Sequence, residues 1–327
     1  MNSYGRLFKV SIFGESHGHV TGILIDGCPP GIPINEADFT TDLNRRKSGA
    51  PGTTLRQEKD IPQIQTGTLN GYTTGAPILI TFNNENVNSE DYSKYSKIPR
   101  PGHTDFVSMI KYHKFNDLTG GGHFSGRLTL GIVSAGVIAK KIIKPIELCA
   151  EVLSVGGNTN IAGTIVKVIN DGDSTGGLIE CNVNNLPVGL GEPFFDSVES
   201  LISHIIFSIP GIKGIEFGAG FNSANMYGSE YNDVIINIEG NTKTNNSGGI
   251  NGGITNGNPI IFRVAVKPAS SISKTQNSIN FETGKSEDFE IHGRHDVCIA
   301  LRMPPIIEAA AAITFADMIL VNKGIFL

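Results

Sequence analysis

The chain is short of charge. Asp, Glu, Lys and Arg make up 17% of its 327 residues, against roughly 25% in an average domain. It also lacks a basic excess: the formal net charge is -5, which argues against a general nucleic-acid binder and confines any cationic site to a local cluster. Cysteine is scarce. Cys28, Cys149, Cys181 and Cys298 stand far apart without CxxC spacing or histidine partners, so neither a metal site nor a disulfide framework is expected, and free thiols in a reducing compartment are. No run reaches the ~18 uncharged apolar residues of a membrane span, and the opening MNSYGRLFKVSIFGESHG has no apolar signal core. The expectation is a soluble, cytoplasmic protein with no membrane contact. Short-period repeats are absent as well.

Glycine, by contrast, is abundant, at 40 residues or well above the usual ~7%. Tight turns and close backbone approaches follow. The length is enough for a sizeable core.

The organising stretch runs from Pro99 to Ile143. From Gly126 onward, Leu128, Leu130, Ile132, Val133, Val137, Ile138, Ile142 and Ile143 cover every face of a helical wheel, and a helix apolar all round belongs in a core. Gly120, Gly121 and Gly122 lead into it through His123, Phe124 and Ser125. Free backbone N–H groups at such a helix start suit an anion, with Arg127 one turn in; a plain glycine turn is the alternative. Upstream, RPGHTD places His103 just outside a helix capped by Thr104 or Asp105, where a neutral imidazole able to accept a proton is favoured.

Elsewhere, Leu7 to Phe13 and Val20 to Ile25 are strand-like, joined by Gly14–Gly18. GESHG formally matches the nucleophile elbow G-x-S-x-G, but that motif needs a strand-to-helix turn in mid-sheet with an oxyanion loop encoded upstream, and only 13 residues precede it. His17 reads better as a proton donor. A helix with Asn35 as N-cap ends in Arg45, Arg46 and Lys47, and GAPGTTLR then adds Arg56 behind a glycine loop. This basic segment in an acidic protein points to a small anionic ligand.

Thr66 to Phe82 reads as a two-stranded hairpin, and Glu147 to Val155, Thr164 to Val168 and Gly177 to Val183 as strands. Glu192 to Phe207 reads as an amphipathic helix. The Asn/Gly-rich stretch 241–257 is either an ordered turn cluster or a lid. Strand Ile260 to Val266 empties into Lys267, Ser270 and Ser271, a set suited to phosphate. Finally Gly293 to Asp296 form a charged loop before an apolar helix that starts at Pro304. Composition and periodicity give mixed α and β with buried helices.

In chain order, GRLFKVSIFGESHG, LNRRK, RPGHTDF, GGGHFSGRLT, KGIEFG, SGGINGGITNG, KPASSI and GRHDVC together resemble the chorismate synthase family over essentially the whole chain. The resemblance implies one α+β domain over residues 1–327, with long helices sandwiched between mainly antiparallel sheets, assembled as a homotetramer. It implies conversion of 5-enolpyruvylshikimate 3-phosphate to chorismate by 1,4-elimination of phosphate, with reduced FMN required. The family's residues carry over as His17 (proton donation at the departing phosphate), His103 (near flavin N1) and Asp296 (working with flavin N5).

Flavin contacts carry over to His123, Phe124 and Ser125, to Pro210 and Gly211, to Gly252, to Lys267, Pro268, Ala269, Ser270 and Ser271, and to Arg294. Substrate contacts fall on Ser16, Arg45, Lys47, Arg56 and Arg127, and an NADPH contact on Arg46. Ala269 stands where many members have threonine, and Ile132 where arginine is frequent. With no reductase domain visible, an external flavin reductase is expected to supply the reduced cofactor.

Overall fold

Alternation of apolar and polar residues builds the two main sheets. A computed structural model describes residues 2–54, 58–85, 95–291 and 295–325. The chain opens with β1 (Ser3–Tyr4), β2 (Lys9–Gly14) and β3 (Val20–Asp26), followed by α1 (Thr40–Arg46). Then come β4 (Gln63–Ile64), β5 (Thr68–Leu69), β6 (Tyr72–Thr73) and β7 (Ile78–Asn83). The first sheet has the order β1-β2-β3-β7-β4 and is antiparallel throughout. In β7 the residues Ile78, Ile80 and Phe82 point inward while their neighbours do not, the period of two expected of a sheet with one buried face.

The middle of the chain supplies α2 (Asp105–Lys111), α3 (Thr129–Ile142), β8 (Glu147–Val155), α4 (Ile161–Asn170), β9 (Gly177–Asn184), α5 (Val198–Ser208) and β10 (Ile212–Phe217). The rest gives α6 (Gly228–Tyr231), β11 (Ile250–Asn251), β12 (Ile254–Thr255), β13 (Ile260–Val266), β14 (Gln276–Ile279), β15 (Ser286–Phe289) and α7 (Pro304–Ile325). The second sheet runs β10-β13-β9-β8, again antiparallel. β13 buries Ile260, Phe262, Val264 and Val266 on alternate positions. Three two-stranded ribbons complete the strands.

Helices α3 and α7 fill the space between the sheets. α3 lies on β2 and β3, α7 on β8 and β9, and the two pack most extensively on each other. The architecture is therefore α+β, with long buried helices between antiparallel sheets, as the family resemblance implied. One continuous cluster of buried side chains runs from Phe8 to Met318. α7 is long and apolar enough to cross a bilayer by length and composition, yet 78% of that window is buried inside the fold. Asp317 is buried in it, and so is Glu308, at 2% exposure. Glu308 accepts hydrogen bonds from Arg45, Lys140 and the Ala150 amide, the satisfaction a buried carboxylate requires.

Three elements differ from the sequence reading. Residues 164–168 are not a strand but part of α4, capped by Asn160, whose side chain accepts from the Gly163 amide. The inward-facing positions 161, 164, 165 and 168 have the spacing of a helix face. The expected hairpin over 66–82 is only the small β5–β6 ribbon, because β7 pairs with β3 and β4 instead. The helix expected from Glu192 begins at Val198, where Ser197 accepts from the Ser200 amide and caps it. The 241–257 stretch resolves into turns and the β11–β12 ribbon.

Small residues set the closeness of α3 and α7. A Cβ on Gly136 would stand 2.2 Å from Ala309 Cβ and 2.5 Å from its Cα, so the helices touch backbone to backbone. Gly136→Val is expected to cost about 1–3 kcal/mol or more by overpacking. The check is a lower midpoint in urea unfolding with an unchanged slope.

Candidate active site

Loops at the N-terminal ends of α3 and α7 meet the ends of β10 and β13 around a cavity of about 1070 Å³. One wall is the glycine run. Gly120, Gly121 and Gly122 all have positive φ (59°, 84° and 53°), a backbone open to glycine and strained for other residues. They form a turn that precedes α3 rather than the helix start itself, which lies at Thr129. A Cβ on Gly120 would sit 2.7 Å from Ser16 Oγ and from His17 Nε2. The turn is thereby pressed against the GESHG connection, which joins strand β2 to strand β3 and not a strand to a helix. That geometry excludes the nucleophile elbow. Ser16 lines the cavity; His17 lies just behind the wall, against Gly120.

His123 reaches across to β2 through Nδ1, 2.8 Å from the Gly14 carbonyl. Ser125 Oγ accepts from the Arg127 amide. The Arg127 guanidinium donates to Asp60 at 2.9 Å and to Asn84. It is 8% exposed, and its Nη2 has no hydrogen-bond partner among the described residues. Arg46 is 3% exposed. It donates to Thr129 Oγ1 and to the carbonyls of Gly126 and Arg127, with Asp60 at 3.6 Å. Burial, then the nearby Arg302, pushes its pKa down to about 9. So enclosed a guanidinium meets the cavity it lines only at its edge.

A second wall comes from the end of β13. Lys267 Nζ donates to the Gly102 carbonyl at 2.7 Å and to Ser270 Oγ at 3.2 Å. Burial, then Lys213, lowers its pKa. Pro268, Ala269 and Ser271 line the same wall, and Pro210 and Gly211 face it from the α5–β10 turn. Opposite, Asp296 accepts from the Thr54 amide at 2.8 Å and pairs with Arg302 at 3.1 Å. The amides of Val297 and Cys298 both donate to the Gly52 carbonyl. The described part of the glycine loop after α1 is thus pinned rather than free.

His103 stands on the rim between these walls. Its Nδ1 lies 2.6 Å from Asp105 Oδ1. Its pKa is lowered, first by burial and then by Arg100 and Lys267, with Asp105 opposing. The sequence reading held the imidazole neutral through a helix N-terminus; α2 does begin there, but burial is the larger cause.

Most expected residues therefore share one cavity: Ser16, Arg46, Lys47, His103, Arg127 and Asp296, with the segments 123–125, 210–211 and 267–271. Three do not. His17 lies behind the wall, against Gly120. Arg45, expected at substrate, turns away to pair with Glu308 at 2.7 Å and Asp42 at 3.2 Å. Gly252 sits in the turn of the β11–β12 ribbon and does not line the cavity. Arg56 and Arg294 lie outside the described residues. Residues that the motif reading passed over are Lys213, Arg302, Asp60 and Tyr4. Lys213 was visible in KGIEFG, whereas Asp60 and Tyr4 stand in no recognisable motif. Tyr4 donates to the Leu201 carbonyl, lies edge-on to His204, and has its pKa pushed up to about 12 by burial.

The family model for chorismate synthase matches residues 8–320. A chorismate synthase from Chitinophaga pinensis is 56% identical over 324 residues, spanning 99% of this chain and 98% of that protein. One from Dehalococcoides mccartyi is 43% identical over 352 residues, spanning 98% and 96%. A crystal structure of chorismate synthase matches with a TM-score of 0.75 at 25% identity, covering 98% of this chain and 94% of that one. The chain belongs to the chorismate synthase family.

Proposed function

We propose that this cavity converts 5-enolpyruvylshikimate 3-phosphate to chorismate, eliminating phosphate and a ring hydrogen in the presence of reduced FMN. The observation that carries the reading is convergence: three separate segments bring His103, Lys267 and Asp296 to one cavity of about 1070 Å³. That volume is at or above the upper end for small-molecule sites, ~300–1,000 Å³, so two ligands fit together.

The donor set suits a flavin phosphate and an anionic substrate. Arg127 Nη2 is a buried donor without a partner among the described residues, and Lys267 and Ser270 stand together at the opposite wall. Leu128, Ile132, Met303 and Ile306 supply apolar wall, which a planar ring system requires. Residues 123–125, 210–211 and 267–271 would hold the flavin. Bound reduced flavin supplies electron density to the elimination with no net oxidation.

The chain's own groups do the rest. Arg46 and Arg127 bind and charge-compensate the phosphate, and His17 donates the proton it needs as it leaves. His103, neutral at pH 7 because its pKa is lowered, accepts and returns a proton at Nε2. Asp296, fixed by Thr54 and Arg302, takes the ring proton. Reduction of the flavin falls to an external reductase, the matched chorismate synthase domain taking up residues 8–320.

We also assign self-association, in keeping with the homotetramer the resemblance implies, in the cytoplasm. Gly252 does not line its own chain's cavity, so a flavin contact there would come from another copy. Val234, Ile235, Ile236 and Ile238 form an exposed apolar strip, Ile238 being 99% exposed. Such patches mark association surfaces.

Under anaerobic conditions, protein with chemically reduced FMN and substrate should release phosphate and form chorismate. NADPH with oxidised FMN should give no turnover; turnover without any flavin would overturn the mechanism. His17→Ala should lower kcat by about 10²-fold, the usual range for lost acid–base assistance. Gly120→Ala, which drives a methyl into Ser16 and His17, should do likewise with the fold retained by circular dichroism.

A further inference from the structure

Asp105 looks in sequence like a cap for α2. The structure uses it otherwise: Thr104 is the N-cap position, no side chain makes the cap hydrogen bond, and the Asp105 carboxylate turns toward His103. It is fully buried, at 0% exposure. Oδ2 accepts from Arg100 Nε at 2.8 Å and from the Arg100 amide at 3.1 Å. Oδ1 accepts from Arg100 Nη2 at 2.9 Å and lies 2.6 Å from His103 Nδ1. Arg100 is fixed in turn, 4.3 Å over the Tyr95 ring and within reach of Ser271 Oγ.

A carboxylate held by a two-pronged guanidinium stays ionised. Both Arg100 and His103 hold its pKa well below the usual carboxylate range, against the opposing effect of burial. An ionised oxygen 2.6 Å from a ring nitrogen requires a proton between them. The Nδ1 of His103 must carry it, and Nε2 is left with its lone pair. A Cβ on the cavity-lining Gly121 would lie 3.9 Å from that Nε2, so the bare nitrogen is the one beside the cavity.

We propose that Asp105, clamped by Arg100, is the positioning residue that fixes the tautomer of His103 and so makes Nε2 the proton acceptor of the reaction. The proposal rests on the role assigned to His103 above. With asparagine at position 105, Nδ1 would face the side-chain amide as a donor together with Arg100 Nη2, which already stands 3.0 Å away. It would then serve as an acceptor, and the proton would move to Nε2. The charged groups acting on His103 are Asp105, which favours the imidazolium, and Arg100 and Lys267, which oppose it.

The test is ring-15N-histidine NMR of the full chain without flavin, with His103 assigned by its disappearance in His103→Gln. Wild type should show Nδ1 protonated and Nε2 bare. Asp105→Asn should show the reverse. With reduced FMN and substrate, this variant should lose at least about 10²-fold in kcat with little change in KM; loss of the orienting carboxylate costs about 10⁴ in a serine protease. The acid limb of its pH profile should move to lower pH, since the group that favours imidazolium is gone. Wild type with Nε2 protonated overturns the proposal, with no need for the variant to fold. So does an Asp105→Asn protein that keeps the wild-type tautomer and pH profile. A wild type with the expected tautomer but no turnover under reduced flavin would instead sink the functional reading.

Discussion

The contact between α3 and α7 is the constraint on which the site depends. Gly136 and the alanines around Ala309 let two buried helices approach at backbone distance, and both present their first turns to the same cavity. The segments that precede them, 120–128 and 295–303, are therefore brought side by side although they lie far apart in sequence. The two sheets close the sandwich on either side and deliver their own strand ends, Gly14 from one and Val266 to Lys267 from the other. Site geometry is in this sense a property of the core.

A second regularity is the use of single carboxylates to fix cations. Asp105 holds Arg100 beside the neutral His103, Asp60 stands between Arg127 and Arg46, and Asp296 holds Arg302. Asp60 thereby lets two positive groups be placed closer than their mutual repulsion would otherwise permit. None of these acids lies on the glycine turn or the Lys267 segment, where an anion would rest. Acids and cations are thus kept on different sides of their own pairs, with donors turned inward.

Much of this was legible in the chain. Strands β2, β3 and β13 follow from alternation, and α3 and α7 from apolar residues on every face. The loop motifs pointed to most of the cavity lining because their chemistry is local to a few residues. What failed was orientation. Arg45 and Arg46 are neighbours on a helix, about 100° apart at 3.6 residues per turn. One turns to Glu308 and the other inward, and only the packing of α1 on α7 and α3 decides which. In α4 the β-branched run Thr164, Val166 and Val168 imitates a strand, while the spacing 161, 164, 165, 168 that wins is set by burial against neighbouring elements. Asp105 beside a helix start reads as a cap until the backbone of Arg100 is seen to lie beneath it.

The sharing of Asp60 by two enclosed guanidiniums leaves a surplus of positive charge at the bottom of the cavity, among neutral oxygens from Thr129, Gly126 and Arg127. A polyanion bound there, as proposed, would supply counter-charge, and its occupancy and folding would then be thermodynamically linked. A ligand at a hundred times its dissociation constant would add about 2.7 kcal/mol to the native state, a sizeable share of the ~5–15 kcal/mol typical of a whole domain. To a protease or a heat pulse, the empty and the loaded protein are different targets.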